Sequence, residues 1–160
     1  MQHFSAFSIR YNEIVNRLRG EVTLFNGEKS GKFVALWDTG ATISCISHDV
    51  VQALGLVPTG VGSIRTPSGM DTFCTYQVDI WLPNNVVLHG VQVSGSEIGA
   101  QGLGVLIGMN IISQGDFAVS NFQGKTVFTF RTPSIAKADY VRDLHVQKGH
   151  GPGKRKKKHK

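Results

Sequence analysis

From Val22 onward the chain breaks into short apolar runs separated at close intervals by turn-forming residues, a pattern that leaves little room for long helices and points to a mostly β domain. Residues 21–25 and 32–37 read as strands around a polar turn, and residues 42–46 resume β character. Ser47, with Asp49 close behind it, suits the N-cap of a short helix that runs to Leu54 and is stopped by Gly55. Residues 61–65 and 72–82 form the arms of a hairpin turning through Thr66-Pro67-Ser68-Gly69. Further strands are expected at 86–93, 105–107, 117–120 and 126–130, with a short helical stretch at 109–113. Phe128 and Phe130 alternate as one buried strand face. Elsewhere the pattern weakens: residues 11–18 have the helical spacing of Ile14, Val15 and Leu18, and 136–146 have room for a helical turn or more.

The organisation that follows is an N-terminal segment at 1–20, a folded domain at 21–133, a C-terminal extension at 134–147 and a basic tail at 148–160. With 160 residues, 41% apolar and 18% charged, the chain is large enough for one packed core and too weakly charged for general disorder. The net charge of +6 belongs to the tail: seven of the 17 Lys and Arg lie there without an acid, leaving ten against 11 acidic residues in a nearly neutral body. The tail is low in complexity, is expected to be disordered alone, and should bind polyanions without sequence preference as salt allows.

Several function classes find no support. No run approaches the roughly 18 apolar residues of a membrane span, and residues 1–10 lack a signal-peptide pattern, so the expectation is a cytoplasmic protein. Cys45 and Cys74 are too few for a disulfide framework and read as small buried residues. The six histidines show no metal-ligand spacing, and no GxSxG, phosphate-loop or dinucleotide fingerprint is present, so neither metal nor cofactor is expected.

The chemistry concentrates in two elements. Asp38-Thr39-Gly40-Ala41 stands at the end of the apolar run Phe33-Val34-Ala35-Leu36-Trp37. A carboxylate delivered by a buried strand costs free energy unless it is hydrogen-bonded or protonated, so such an aspartate has a reason to be there. The second element is Gly104-Val105-Leu106-Ile107-Gly108-Met109-Asn110, another apolar run ending in glycine.

In this order, with a hairpin between them, the two motifs resemble those of the retroviral-type (retropepsin-like) aspartic proteases. Met109 stands where viral members carry Arg. The resemblance covers about residues 21–131 and implies a retropepsin-like acid protease fold: a single-lobe, β-barrel-like domain with a flap hairpin and one or two short helices. It implies an aspartic endopeptidase cleaving extended peptide segments, with Asp38 as the catalytic carboxylate and Thr39, Gly40 and Ala41 in the active-site loop. Arg65, Thr66, Pro67, Ser68, Gly69 and Met70 would form the flap that closes on substrate, and Ile107, Gly108 and Asn110 would pack behind the catalytic loop. Peptide hydrolysis by water needs a base and an acid, which two carboxylates sharing a proton supply. The chain carries one such aspartate motif, so the second carboxylate is expected from a second copy, in a homodimer. The alternative is an interaction module of the same fold that holds a peptide or nucleic acid without cutting it.

Overall fold

The computed structural model describes residues 5–67, 69–83 and 86–149. In chain order the elements are β1 (Ser5–Arg10), β2 (Leu18–Asn26), β3 (Lys29–Trp37), β4 (Cys45–Ser47), α1 (His48–Leu54), β5 (Gly60–Thr66), β6 (Gly69–Trp81), β7 (Val87–Ser96), β8 (Val105–Ile107), α2 (Met109–Ile112), β9 (Asp116–Ser120), β10 (Val127–Thr132) and α3 (Tyr140–Gly149). The mostly β reading therefore holds.

Alternation makes the strands. β2 buries Val22 and Leu24 and leaves Glu21 exposed, as a sheet with one wet face requires. It turns into β3 through two residues, and Gly27 takes the positive φ of 56° that the first position of such a loop favours. Ser47 caps α1 by accepting the Val50 N–H at 3.3 Å, and Gly55 ends the helix in the left-handed region at φ 61°.

The large sheet runs β2-β3-β8-β4-β7-β6-β5, and β6 also pairs with β2 from Thr23↔Trp81 to Phe25↔Asp79. Six strands thus close into a barrel. β5 and the first half of β6 project from it as a hairpin, paired from Gly60↔Thr75 to Thr66↔Gly69. That last pair makes the turn tighter than the four residues expected.

A second, antiparallel sheet runs β1-β10-β9. Its Phe7, Phe128 and Phe130 are buried and pack on Trp37 from the barrel, with ring centroids 5.6, 5.7 and 5.2 Å away. Such pairs add about 0.5–1.5 kcal/mol each beyond area burial. The shared face expected of Phe128 and Phe130 is thus observed, and Phe122 lies apart, exposed.

Three expectations need correction. Residues 11–18 are not helical: the Tyr11 N–H donates to the Thr126 carbonyl at 2.9 Å, and Thr126 in turn donates its N–H to the Glu13 carbonyl at 3.0 Å. Pairing with distant chain overrides the local spacing there. β1 lies wholly within residues 1–20 and β2 begins at Leu18, so both belong to the sheets that carry the core. At the other end, the helix expected within 136–146 begins only at Tyr140. Cys74 is exposed, because it sits on the projecting hairpin opposite Val61, itself 75% exposed, where no second layer covers it. Of the basic tail, residues 150–160 lie outside the described residues.

Candidate active site

Asp38 follows directly on β3. β8 pairs parallel to β3 (Trp37↔Ile107) and antiparallel to β4 (Cys45↔Leu106), so it fills the gap between the strands that enter and leave the aspartate loop. The Asp38 N–H donates to the Ile107 carbonyl at 2.9 Å, extending that ladder by one bond. The loop then folds back on its own carboxylate: the Gly40 N–H donates to Asp38 Oδ1 at 2.8 Å, and the Ala41 N–H donates to the Asp38 carbonyl at 3.3 Å. A Cβ on Gly40 would lie 3.1 Å from Oδ1, tighter than ordinary contact, which is why a glycine stands there. Asp38 is half-buried and Thr39 and Gly40 are exposed. Asp38 and Thr39 open onto a depression of about 480 Å³, shared with Arg17, Leu36, Phe117 and Val119 among others.

The two sequence motifs are stitched together behind this loop. Met109 donates its N–H to the Ala41 carbonyl at 2.7 Å, and Asn110 donates its own to the Thr42 carbonyl at 3.1 Å. Ser44 is fully buried: its Oγ accepts the Gly108 N–H at 2.9 Å and donates to Asn110 Oδ1 at 2.7 Å, which also accepts the Ser44 N–H at 2.8 Å. The Asn110 amide completes the net by donating to the Gln92 carbonyl at 3.1 Å. Among the described residues no buried side-chain nitrogen or oxygen lacks a partner, so the net carries no desolvation penalty of the kind an orphaned group would incur. At Gly108 a Cβ would meet the Ala41 oxygen at 2.8 Å and the Ile43 carbonyl carbon at 2.9 Å, both backbone atoms. Ile107, Gly108 and Asn110 thus pack behind the aspartate loop as the resemblance implied. Ser44 was not singled out from the sequence, since nothing in 42–46 distinguishes a buried serine from an exposed one.

Cys45 is buried beside this net, in a small cluster with Ile98 and Leu103 that also touches Leu36 and Leu106. Burial pushes its thiol pKa up, opposed by a hydrogen bond with Ser96 and reinforced by the negative charge of Asp38. It is held as an inert thiol, in keeping with a packing role.

The hairpin places Arg65 opposite Met70 and Thr66 opposite Gly69, with Pro67 in the turn; Ser68 lies outside the described residues. Gly69 has a φ of 138°, which side-chain-bearing residues rarely adopt. Arg65 and Met70 are exposed, and among the described residues no hydrogen bond or ion pair joins either to the Asp38 loop. The expected flap residues are therefore grouped with each other and not with Asp38. Among the described residues no cluster of three or more His, Cys, Asp or Glu is arranged for a metal ion, and no helix is long and apolar enough to cross a membrane.

Known structures share this architecture. A retropepsin-like aspartic protease from Rickettsia conorii matches 82% of this chain and 98% of its own with a TM-score of 0.51 at 13% identity, which shows the fold. The Simian Foamy Virus (mac) protease matches 60% of this chain and 92% of its own, with a TM-score of 0.45 and 21% identity. No curated protein matches the chain. Residues 23–114, which span β2 through α2 and hold both halves of the stitched loop, match the family described as gag-polyprotein putative aspartyl protease, and the chain belongs to that family.

Proposed function

We propose that the chain is an aspartic endopeptidase that cleaves extended peptide segments with a water activated by Asp38 and the partner's Asp38 across the twofold axis of a homodimer. The observation that carries this reading is the way Asp38 is held. One carboxylate oxygen, Oδ1, accepts the Gly40 N–H, and among the described residues Oδ2 has no hydrogen-bond partner, which leaves it for water and a second carboxylate. Two carboxylates within hydrogen-bonding reach do not both ionise cheaply, so the pair holds one proton. The ionised member takes the proton of the attacking water while the protonated one donates to the scissile carbonyl oxygen. The stitched net of Ser44, Gly108 and Asn110 fixes the loop so that this geometry needs no reorganisation during reaction.

Arg65, Thr66, Pro67, Ser68, Gly69 and Met70 act in this reading as the flap. Closing over an extended peptide, the hairpin adds strand-like hydrogen bonds and excludes bulk water. The test is Asp38→Asn. The variant is expected to keep the circular dichroism spectrum and the sedimentation behaviour of the parent and to lose cleavage of a peptide library by about a hundredfold or more, since both halves of the dyad are changed at once. Cleavage within tenfold of the parent would refute the mechanism.

A further inference from the structure

β9 is an edge strand with nothing on its outer side. It pairs with β10 alone, from Val127↔Ser120 to Arg131↔Asp116, and none of the other backbone hydrogen bonds among the described residues reaches its free edge. A row of unpaired N–H and C=O groups is a template for another strand, and proteins usually guard it with lysine, proline, a bulge or a covering segment. The sequence Asp116-Phe117-Ala118-Val119-Ser120 has neither lysine nor proline. Its one charge is occupied elsewhere: Asp116 accepts from Arg131 Nε at 2.9 Å and from the Ile135 N–H at 3.1 Å, both on the side away from the free edge's apolar residues.

The strand also lies where a twofold axis is needed. Phe117 and Val119 line the same depression as Asp38 and Thr39, and the Phe117 ring stacks on Trp37, the residue before Asp38. A shared-proton dyad requires the axis to pass beside Asp38. We propose that β9 pairs antiparallel with β9 of a second copy of this chain, joining two three-stranded sheets into one of six strands, β1-β10-β9 and its mirror order, alongside both aspartate loops. The proposal rests on the dimeric reading above and names the surface that makes the dimer. Centred on Ala118, the pairing sets Phe117 opposite Val119 of the partner subunit on the Asp38 side, an aromatic and β-branched pair of the kind that stabilises antiparallel neighbours. Ala118 then faces its own copy on the other side, where its small side chain lets the strands approach. The interface is isologous, as a closed dimer requires.

Two variants test it. Val119→Lys places a charge at the edge and is expected to give a folded monomer by circular dichroism and sedimentation, at concentrations where the parent is dimeric, with cleavage down at least tenfold. Ala118→Cys, made with Cys74→Ser to remove the exposed native thiol, is expected to cross-link between subunits with a short thiol reagent and to stay active on dilution. Ser8→Cys, on the far strand β1, is expected not to cross-link. A dimeric Val119→Lys, or cross-linking at Ser8→Cys and not at Ala118→Cys, overturns the β9 pairing and leaves the Asp38 dyad standing. A chain that cross-links through Ala118→Cys yet cleaves equally well after Asp38→Asn overturns the dyad and leaves the pairing standing. If Val119→Lys does not fold, the cross-linking pattern decides; a parent that is monomeric at every concentration overturns both.

Discussion

The Trp37 indole lies over the Phe117 ring with centroids 5.7 Å apart and planes only 6° from parallel. The residue before the aspartate is thereby stacked on the strand proposed to bind the second subunit. Trp37→Ala is expected to cost about 3–5 kcal/mol of stability by opening a large cavity, and to weaken the dimer as β9 loses its support. Trp37→Phe, which keeps an aromatic face, should recover most of both. Urea unfolding and sedimentation on the two variants check this; a dimer constant unchanged in Trp37→Ala would separate β9 from the aspartate loop.

Gly108 has no room for a side chain. The atoms in the way belong to the backbone of Ala41 and Ile43, so they cannot swing aside as a flexible side chain would. Gly108→Ala is expected to destabilise the fold by about 1–3 kcal/mol and to reduce cleavage by about tenfold or more, because the displaced segment carries Asp38. Denaturation midpoints and peptide turnover measured on one preparation test both parts.

Ser44→Ala removes the acceptor of the buried Gly108 N–H while Asn110 Oδ1 keeps the Ser44 backbone donor. The expected cost is about 1–3 kcal/mol for the stranded donor. Chemical denaturation reads it directly, and a loss below about 0.5 kcal/mol would mean that the net is dispensable.

Asp116 provides a pH signature. The Ser134 hydroxyl, the Arg131 guanidinium and the Ile135 N–H hold its carboxylate ionised far below the usual range, against an ordinary value of 3.8. A depressed folded-state pKa contributes stability that is complete above the unfolded value and is lost as pH falls below it. Asp116→Asn is therefore expected to lower the melting temperature at pH 7, by an amount that shrinks as pH drops from about 4 toward 2. A gap that stays constant across that range would show that the hydrogen bonds matter and the charge does not.

The sequence showed most of the barrel because its strands are half-buried and punctuated. Val22 and Leu24 alternate with polar residues, Ser47 and Gly55 frame α1, and residues 105–107 carry an apolar strand that ends at a glycine. Asp38, Gly108 and Asn110 were legible through two short motifs whose order and spacing add to each other. β1 was not, since Phe7 and Ile9 give too short an alternation to stand out and its partner, β10, lies at the opposite end of the chain. Ser44 was hidden for a related reason: its importance comes from the Gly108 N–H and the Asn110 amide, neither of which is near it in sequence. The turn of the hairpin was read as four residues because proline, serine and glycine all favour turns, whereas the ladder continues to Thr66↔Gly69.

β8 is only three residues long, yet it is the wedge between β3 and β4. Until residues 105–107 slot in, the aspartate loop has one flank and no anchor for the Asp38 amide, so the active geometry is assembled by contacts of long sequence separation that form late and slowly. A chain emerging from a ribosome carries Asp38 early and the means to use it only afterwards. For a protein whose chemistry is the cutting of polypeptides, that ordering is a timer: neighbouring nascent chains are safe from it until synthesis has passed α2.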